Sequence, residues 1–320
     1  MARSLITGIT GFAGSHLASH LLHSDDGSSD PSEAKILGCS RYGRWPANVP
    51  ESLRQIPLVT GEIDEIAQHR NQIAQFRPDW IFHLAALSFP ADCGADEPSE
   101  VARRINVEGT RAVLELANSL AHSPRVVVAS SSYVYAPVTA DHYLVTEEYA
   151  TKPKNGYGKS KLAAENEVLE ATERWGIKAV IARSFNHTGP RQSARMMLPE
   201  WVYQFAAGHR PVRVYSLNSF LDLTDVRDVV RAYAMLAERG TTNSIYNVGS
   251  GVCRRSGDVF AQLRQMADPQ RPFVEISSTR RQHPIADLTR IRGETGWEAT
   301  IPLEQTIENT WAFWRMEKDG

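Results

Sequence analysis

The sequence predicts an α/β fold: a doubly wound parallel sheet joined to a smaller, mixed C-terminal part. Three observations carry this expectation. From Ser4 to Ser184 short β-branched or apolar runs alternate with longer segments of helical period; those runs are apolar throughout; and after Ser184 the alternation fades while helical segments persist. Strands that are apolar on both faces must be covered on both faces, and crossover helices on a parallel sheet do this.

In chain order, the first strand is SLIT from Ser4, followed by a glycine-rich turn and an amphipathic helix within LITGITGFAGSHLASHLL. The next strands are KILGCS from Lys35, PLVT from Pro57, DWIFHLA from Asp79, RVVVAS from Arg125 and KAVIARS from Lys178. Helices between them include Val101 to Ala121 and Ser160 to Trp175, and the polar segment from His23 to Lys35 reads as a turn-rich loop. Beyond Ser184, helices are expected at Leu198 to Ala207, Val226 to Glu238 behind an Asp225 cap, Gly257 to Ala267, and Leu303 to Arg315. Residues 1–184 thus form one domain and 185–320 a second part, some of whose strands and helices return to the first. No repeat or low-complexity linker separates the two, so they pack as one unit.

Bulk properties exclude several function classes. The chain has 320 residues, 42% of them hydrophobic, and a formal net charge of -2, so neither a basic surplus for nucleic acid nor an acidic tail is present. Cys39, Cys93 and Cys253 are far apart and lack the paired spacing of a disulfide framework or a metal site. No apolar run reaches the about 18 residues of a membrane span, and the N-terminus reaches glycines after only a few apolar residues. A soluble protein of the reducing cytoplasm is expected.

The glycine-rich turn carries the first chemistry. Gly8, Gly11 and Gly14, with Thr10, Phe12 and Ala13 between them, let the backbone turn sharply between strand and helix and approach a pyrophosphate at the positive helix N-terminus. This makes the sheet Rossmann-type and the ligand a dinucleotide. The second strand ends in Ser40 and Arg41, where an NAD enzyme carries an acid for the ribose hydroxyl. A guanidinium there suits a 2′-phosphate, which favours NADP and leaves NAD as the alternative. Glu62 and Ile63 follow the third strand, where the adenine would lie.

NGYGKSK places Tyr157 and Lys161 four residues apart at a helix start, on one face. A lysine cation about 6 Å from a phenol favours phenolate by roughly 3 kcal/mol at an effective dielectric of about 20, or about two pK units. A third group belongs at the end of the fifth strand, because strand C-termini form the ligand crevice of such sheets. That end reads VVVASSSYVYAP, with hydroxyls at Ser130, Ser131 and Ser132 and no acid among them.

With the glycine loop, HLAA at His83, NVEGT at Asn106, the serine run and YGKSK all in order, the chain resembles the extended short-chain dehydrogenase/reductase family. RSFNHTGPRQ, DLTDVRDVVRAY, IYNVGSG and TGWEATIPLEQTI make it most similar to the sugar-nucleotide branch, in particular the GDP-mannose 4,6-dehydratase and GDP-4-keto-6-deoxy-mannose reductase group. The resemblance implies that Ser131 is the catalytic hydroxyl, four residues before Tyr135, which sets the register. It makes Tyr157 the acid/base and Lys161 its electrostatic partner and ribose ligand. Leu84, Ala85 and Ala86 would line the cofactor, and Ser88, Ser132, Asn186, Leu198, Arg213 and Arg281 the nucleotide-sugar substrate. A homodimer through a four-helix bundle is implied, built from the helices at Val101 to Ala121 and Ser160 to Trp175.

Two departures bear on the reaction. Dehydratases of the group carry a carboxylate two positions before the final tyrosine of the serine motif, as a base for the C5 proton; this chain has Tyr133. Leu221 stands where the group has an arginine, which weakens the usual diphosphate contacts. The expected activity is NADP(H)-dependent reduction of a nucleotide-linked 4-keto-6-deoxy-sugar, with a 4,6-dehydratase or 4-epimerase as the alternative and a non-catalytic NADP-binding protein as the third reading.

Overall fold

The computed structural model describes residues 2–23 and 35–319. Its main sheet has seven parallel strands: β1 (Ser4–Thr7), β2 (Ile36–Ser40), β3 (Leu58–Thr60), β4 (Trp80–His83), β5 (Arg125–Ser131), β6 (Ala179–Ser184) and β7 (Ile245–Val248). They lie in the order β7-β6-β5-β4-β1-β2-β3. The chain therefore winds outward in both directions from β1, and the order reverses between β1 and β4. That switch point opens a crevice at the strand C-termini.

The apolar runs are explained by two-sided burial. In β1, Leu5 packs into the hydrophobic cluster on one face and Ile6 into the cluster on the other; in β5, Val126 and Val128 face one way and Val127 the other. Successive side chains of a strand point to opposite faces, so a strand covered on both sides can afford no polar alternation.

The sheet does not end at Ser184. β7 pairs with β6 in register Ile245 to Ile181, and helix Val226–Arg239 packs on the sheet through Val229, Val230, Tyr233 and Leu236. Asp225 caps that helix by accepting from Arg227 N at 2.8 Å. Outside the sheet, Ser219–Asp225 pairs with Cys253–Arg255, Arg281–Gln282 and Asn186–Thr188. A third cluster around Leu198, Trp201 and Phe260 fills the space between this small sheet and the helices Met197–Ala206, Ser256–Ala267 and Leu303–Asp319.

The helix expected at Val101 to Ala121 is interrupted. Glu100–Arg103 and Gly109–Ser119 are α-helical, and Arg104–Glu108 between them is a turn of π-helix. A π-turn is an insertion that redirects side chains, common at functional sites; here it carries Asn106. The helix expected from Ser160 starts earlier, at Gly156, with Asn155 as its cap, and ends at Gly176 in the left-handed region, φ 67. Most of the loop expected between His23 and Lys35, residues 24–34, lies outside the described residues. No helix among the described residues is long and apolar enough to cross a membrane.

Candidate active site

The crevice begins at the glycine turn. Gly8 has φ +68, and a Cβ there would lie 2.8 Å from the backbone of Ala85; a Cβ on Gly14 would lie 2.2 Å from Gly8 O. Only glycine lets β1 turn into the helix Phe12–His23 while its backbone stays against the loop after β4. The first turn of that helix contains no acidic residue, so its free N–H groups face no resident anion. Thr10 shares a hydrogen bond with the Ser40 hydroxyl at 2.9 Å, which fixes the loop to the end of β2. Arg41 is exposed beyond it, its guanidinium 4.5 Å from the centre of the Tyr42 ring.

The loop after β4 is held from below. Thr7 Oγ1 accepts from the backbone N–H groups of Leu84 and Ala85, both at 3.2 Å. Asn106, on the π-turn, accepts from Leu87 N at 2.8 Å and donates to Leu87 O at 3.1 Å and to Ser160 Oγ at 2.9 Å. Leu84, Ala85 and Ala86 are half-buried at the crevice wall, and Ser88 is exposed at its edge.

Ser131 ends β5 and caps the short turn Ser132–Val134, its Oγ accepting from Tyr133 N at 3.3 Å. Helix Gly156–Trp175 starts against this turn: a Cβ on Gly158 would lie 2.3 Å from Tyr133 O. Tyr157 and Lys161 are thereby delivered to the end of β5 on successive helical turns. The rings of Tyr133 and Tyr157 meet edge-to-face with centroids 5.5 Å apart. Burial pushes the Tyr157 phenol up, and a hydrogen bond with Ser131 works against that push. Lys161 is 5% exposed, and burial pulls its ammonium down to about 8 against the attraction of Glu165.

The expected lysine effect on the tyrosine is corrected here. Tyr157 lies above its ordinary value, not two pK units below it, because burial outweighs the hydrogen bond with Ser131 that favours the phenolate. The structure also places three further expected residues. Leu198 is 1% exposed within the C-terminal cluster, so its side chain is closed to substrate. Ile63 packs into the core against Gly109, leaving only its backbone toward the crevice, while Glu62 pairs loosely with Arg104 at 3.8 Å. Arg213 alternates with buried Val212 and Val214 and is exposed on the other side of its strand.

Arg281 acts electrostatically on the Tyr133 phenol and donates to Tyr215 Oη at 3.1 Å. Asn186 is half-buried at the start of its strand, and Ser132 is 4% exposed in the turn.

The sequence profile of the NAD dependent epimerase/dehydratase family matches residues 4–249. The chain belongs to this family. Among its relatives, it is 26% identical to the GDP-6-deoxy-D-mannose reductase of Pseudomonas aeruginosa, over 98% of this chain and 97% of that one. It is 27% identical to the dTDP-glucose 4,6-dehydratase of Streptomyces griseus, over 98% and 94%. The solved structure of RMD from Pseudomonas aeruginosa, complexed with NADPH, superimposes with TM-score 0.81 at 24% identity, covering 99% of this chain and 100% of that one. A UDP-glucose 4-epimerase of Thermotoga maritima superimposes with TM-score 0.84 at 21% identity, covering 99% of each chain.

As a member of the epimerase/dehydratase family the chain requires a nicotinamide dinucleotide, and the crevice fits one: a cradle that a Cβ would fill, an acid-free helix N-terminus and a buried lysine all converge there. Sequence reasoning quoted His83 and Asn106 within motifs but gave them no role. His83 is 2% exposed and bridges Thr7 Oγ1 at 2.9 Å and Thr110 Oγ1 at 3.0 Å; burial pulls it down to about 3, so the ring is neutral. It locks the threonine that holds Leu84 and Ala85. Glu165, four residues beyond Lys161, accepts from Ser130 Oγ at 2.5 Å and pairs with Arg183 at 2.7 Å in a buried ion pair.

Proposed function

We propose that the protein is an NADP(H)-dependent 4-ketoreductase of a nucleotide-activated 4-keto-6-deoxy-hexose, with GDP-4-keto-6-deoxy-D-mannose as the substrate. The observation that carries this reading is Tyr133. Its ring stands 5.5 Å from that of Tyr157, at the position where elimination across C5 and C6 needs a carboxylate. A phenol raised by burial is a poor base at neutral pH, so the C5 proton has no acceptor there. The protonated Tyr157 suits the reductive direction, in which the enzyme must give a proton.

In this reading Ser131 holds the C4 oxygen and Tyr157 donates its proton to it as the carbonyl becomes an alcohol. Lys161 binds the ribose hydroxyls, and its positive charge favours the phenolate that forms. A nicotinamide cofactor bound in the crevice would supply the hydride for C4. Gly8, Gly11, Gly14 and the N–H groups of Phe12 and Ala13 cradle its pyrophosphate. Arg41, where no acid follows β2, supports NADP over NAD. Arg281 and Asn186 hold the diphosphate side of the substrate. A homodimer fits the helices Gly109–Ser119 and Gly156–Trp175, which lie side by side with Arg111 and Glu167 paired at 2.6 Å; sedimentation at micromolar concentration tests it.

A second reading, internal hydride recycling as in a dehydratase or epimerase, rests on the equally similar dTDP-glucose 4,6-dehydratase. The deciding experiment follows NADPH absorbance with GDP-mannose, alone and with a dehydratase that generates the 4-keto sugar. Oxidation of NADPH in proportion to ketosugar supports reduction. Conversion of GDP-mannose with no net NADPH use supports the second reading. Tyr157→Phe should lower kcat by roughly 10²- to 10⁴-fold while NADPH still binds; full activity in that variant would remove the mechanism.

A further inference from the structure

A second groove is lined by one face of helix Phe12–His23, at His16, Ser19, His20 and His23. This groove of about 760 Å³ opens between the later turns of helix Phe12–His23, helix Val226–Arg239, the C-terminal helix and the loop at Pro190. Its polar lining includes Arg191, Arg227, His16, His20 and His23, and among the described residues no carboxylate lines it. Phe313, Val230 and Pro190 supply an apolar wall.

Among the described residues, the charges in this groove are not balanced. Arg227 is neutralised by Asp225, which accepts from its Nε at 2.8 Å and its Nη2 at 2.7 Å. Arg191 is not: its guanidinium donates to Ser15 O at 3.4 Å and to His16 Nδ1 at 2.7 Å, both neutral, and it forms no ion pair among the described residues. His16 is set up for this. Its Nε2 donates to Pro190 O at 2.9 Å, so Nδ1 is left as the acceptor, and burial, with Arg191 beside it, pulls the ring down to about 3. Burial also pulls Arg191 down to about 10.

The backbone of Arg191 sits in the left-handed region, φ 69. A non-glycine residue holds that conformation only where its surroundings impose it, and such positions concentrate at binding sites. A half-buried guanidinium aimed by a neutral imidazole, without a counter-ion among the described residues, costs free energy that a bound anion would recover.

We propose that this groove binds a small organic phosphate, its dianion on Arg191 and its apolar body along Phe313 and Val230. This site does not depend on which reaction the crevice performs. The test uses NADPH-saturated protein, so that the crevice is filled, and calorimetric titration with phenyl phosphate and with inorganic phosphate. Phenyl phosphate should bind at one site, and inorganic phosphate at the same site more weakly; equal affinities would assign the site to free phosphate and overturn the organic body.

Arg191→Gln should weaken phenyl phosphate at least tenfold. Ser19→Glu, which adds a carboxylate to the groove from a half-buried helical position, should abolish it while leaving NADPH affinity unchanged. Absence of binding by either probe, or binding that survives Ser19→Glu, would overturn the proposal.

Discussion

Lys161→Met should make the cofactor-free protein more stable at neutral pH while destroying its catalytic site. Lys161 is 5% exposed, and burial moves its ammonium from 10.5 to about 8. At 1.36 kcal/mol per pK unit, that difference corresponds to ~3 kcal/mol. Below pH 8 the folded protein must keep a proton on a dehydrated amine, a cost the unfolded chain avoids. Between about pH 8 and 10.5 the folded state has released the proton and the unfolded state has not, so the unfolded state binds more protons and wild-type stability rises with pH. Methionine matches the lysine stem and carries no charge, so the variant lacks both the cost and its pH dependence. Urea unfolding of both cofactor-free proteins at pH 7 and pH 10 measures this. The variant should be more stable by ~3 kcal/mol at pH 7, with most of that gap closed at pH 10. A variant no more stable than wild type at pH 7, or a gap independent of pH, would refute the reasoning.

Other perturbations have defined outcomes. Gly14→Ala places a Cβ 2.2 Å from Gly8 O and 2.7 Å from Ile9 Cα; the loop must open, and fluorescence titration should show NADPH affinity falling by roughly tenfold or more, from 1–3 kcal/mol of overpacking. Glu165→Leu leaves Arg183 buried without its carboxylate and should cost about 3–5 kcal/mol in denaturant unfolding, most of it regained when Arg183→Met is added. Asp222 is 0% exposed and accepts from the backbone N–H groups of Ser250, Gly251 and Ala286. Asp222→Ala should lower the melting temperature through about 1–3 kcal/mol for each N–H left unpartnered; a change near zero would mean that water replaces the carboxylate.

Much of this fold was legible because two-sided burial leaves a clear record. Runs such as RVVVAS can be so apolar only where both faces are covered, and the glycines at positions 8, 11 and 14 follow from backbone approach. The seventh strand was harder to read. IYNV is short, and Asn247 interrupts it, a polar side chain that the fold satisfies by accepting from the Tyr135 hydroxyl at 2.5 Å and donating to Val145 O at 2.9 Å. The π-turn at Arg104–Glu108 has no pattern of its own, since an extra residue in a helix leaves the apolar spacing nearly intact. Tyr157 and Lys161 stand out by their spacing and the serine run by its strand position, while Ser131 is singled out among three serines only by the family resemblance; the sign of the tyrosine shift depends on burial, which a spacing cannot report. Leu198 is hard to place for a related reason: which side of a helix is covered is decided by distant partners such as Phe260 and Leu303, which share its cluster.

Glu165 has a consequence for how this enzyme can change. It ties the middle of helix Gly156–Trp175 to Ser130 of β5 and Arg183 of β6, two residues fixed in the sheet. Tyr157 lies eight residues upstream, about 12 Å along the helix axis, so the anchor works as a measured spacer that sets both the height and the direction of the phenol. Substitutions on the exposed face of that helix leave the setting alone. Inserting or deleting one residue between 157 and 165 would turn the tyrosine by about 100° and withdraw it from the crevice. New substrates can thus be reached by rebuilding loops around the cleft, while the length of this one helical segment is closed to variation.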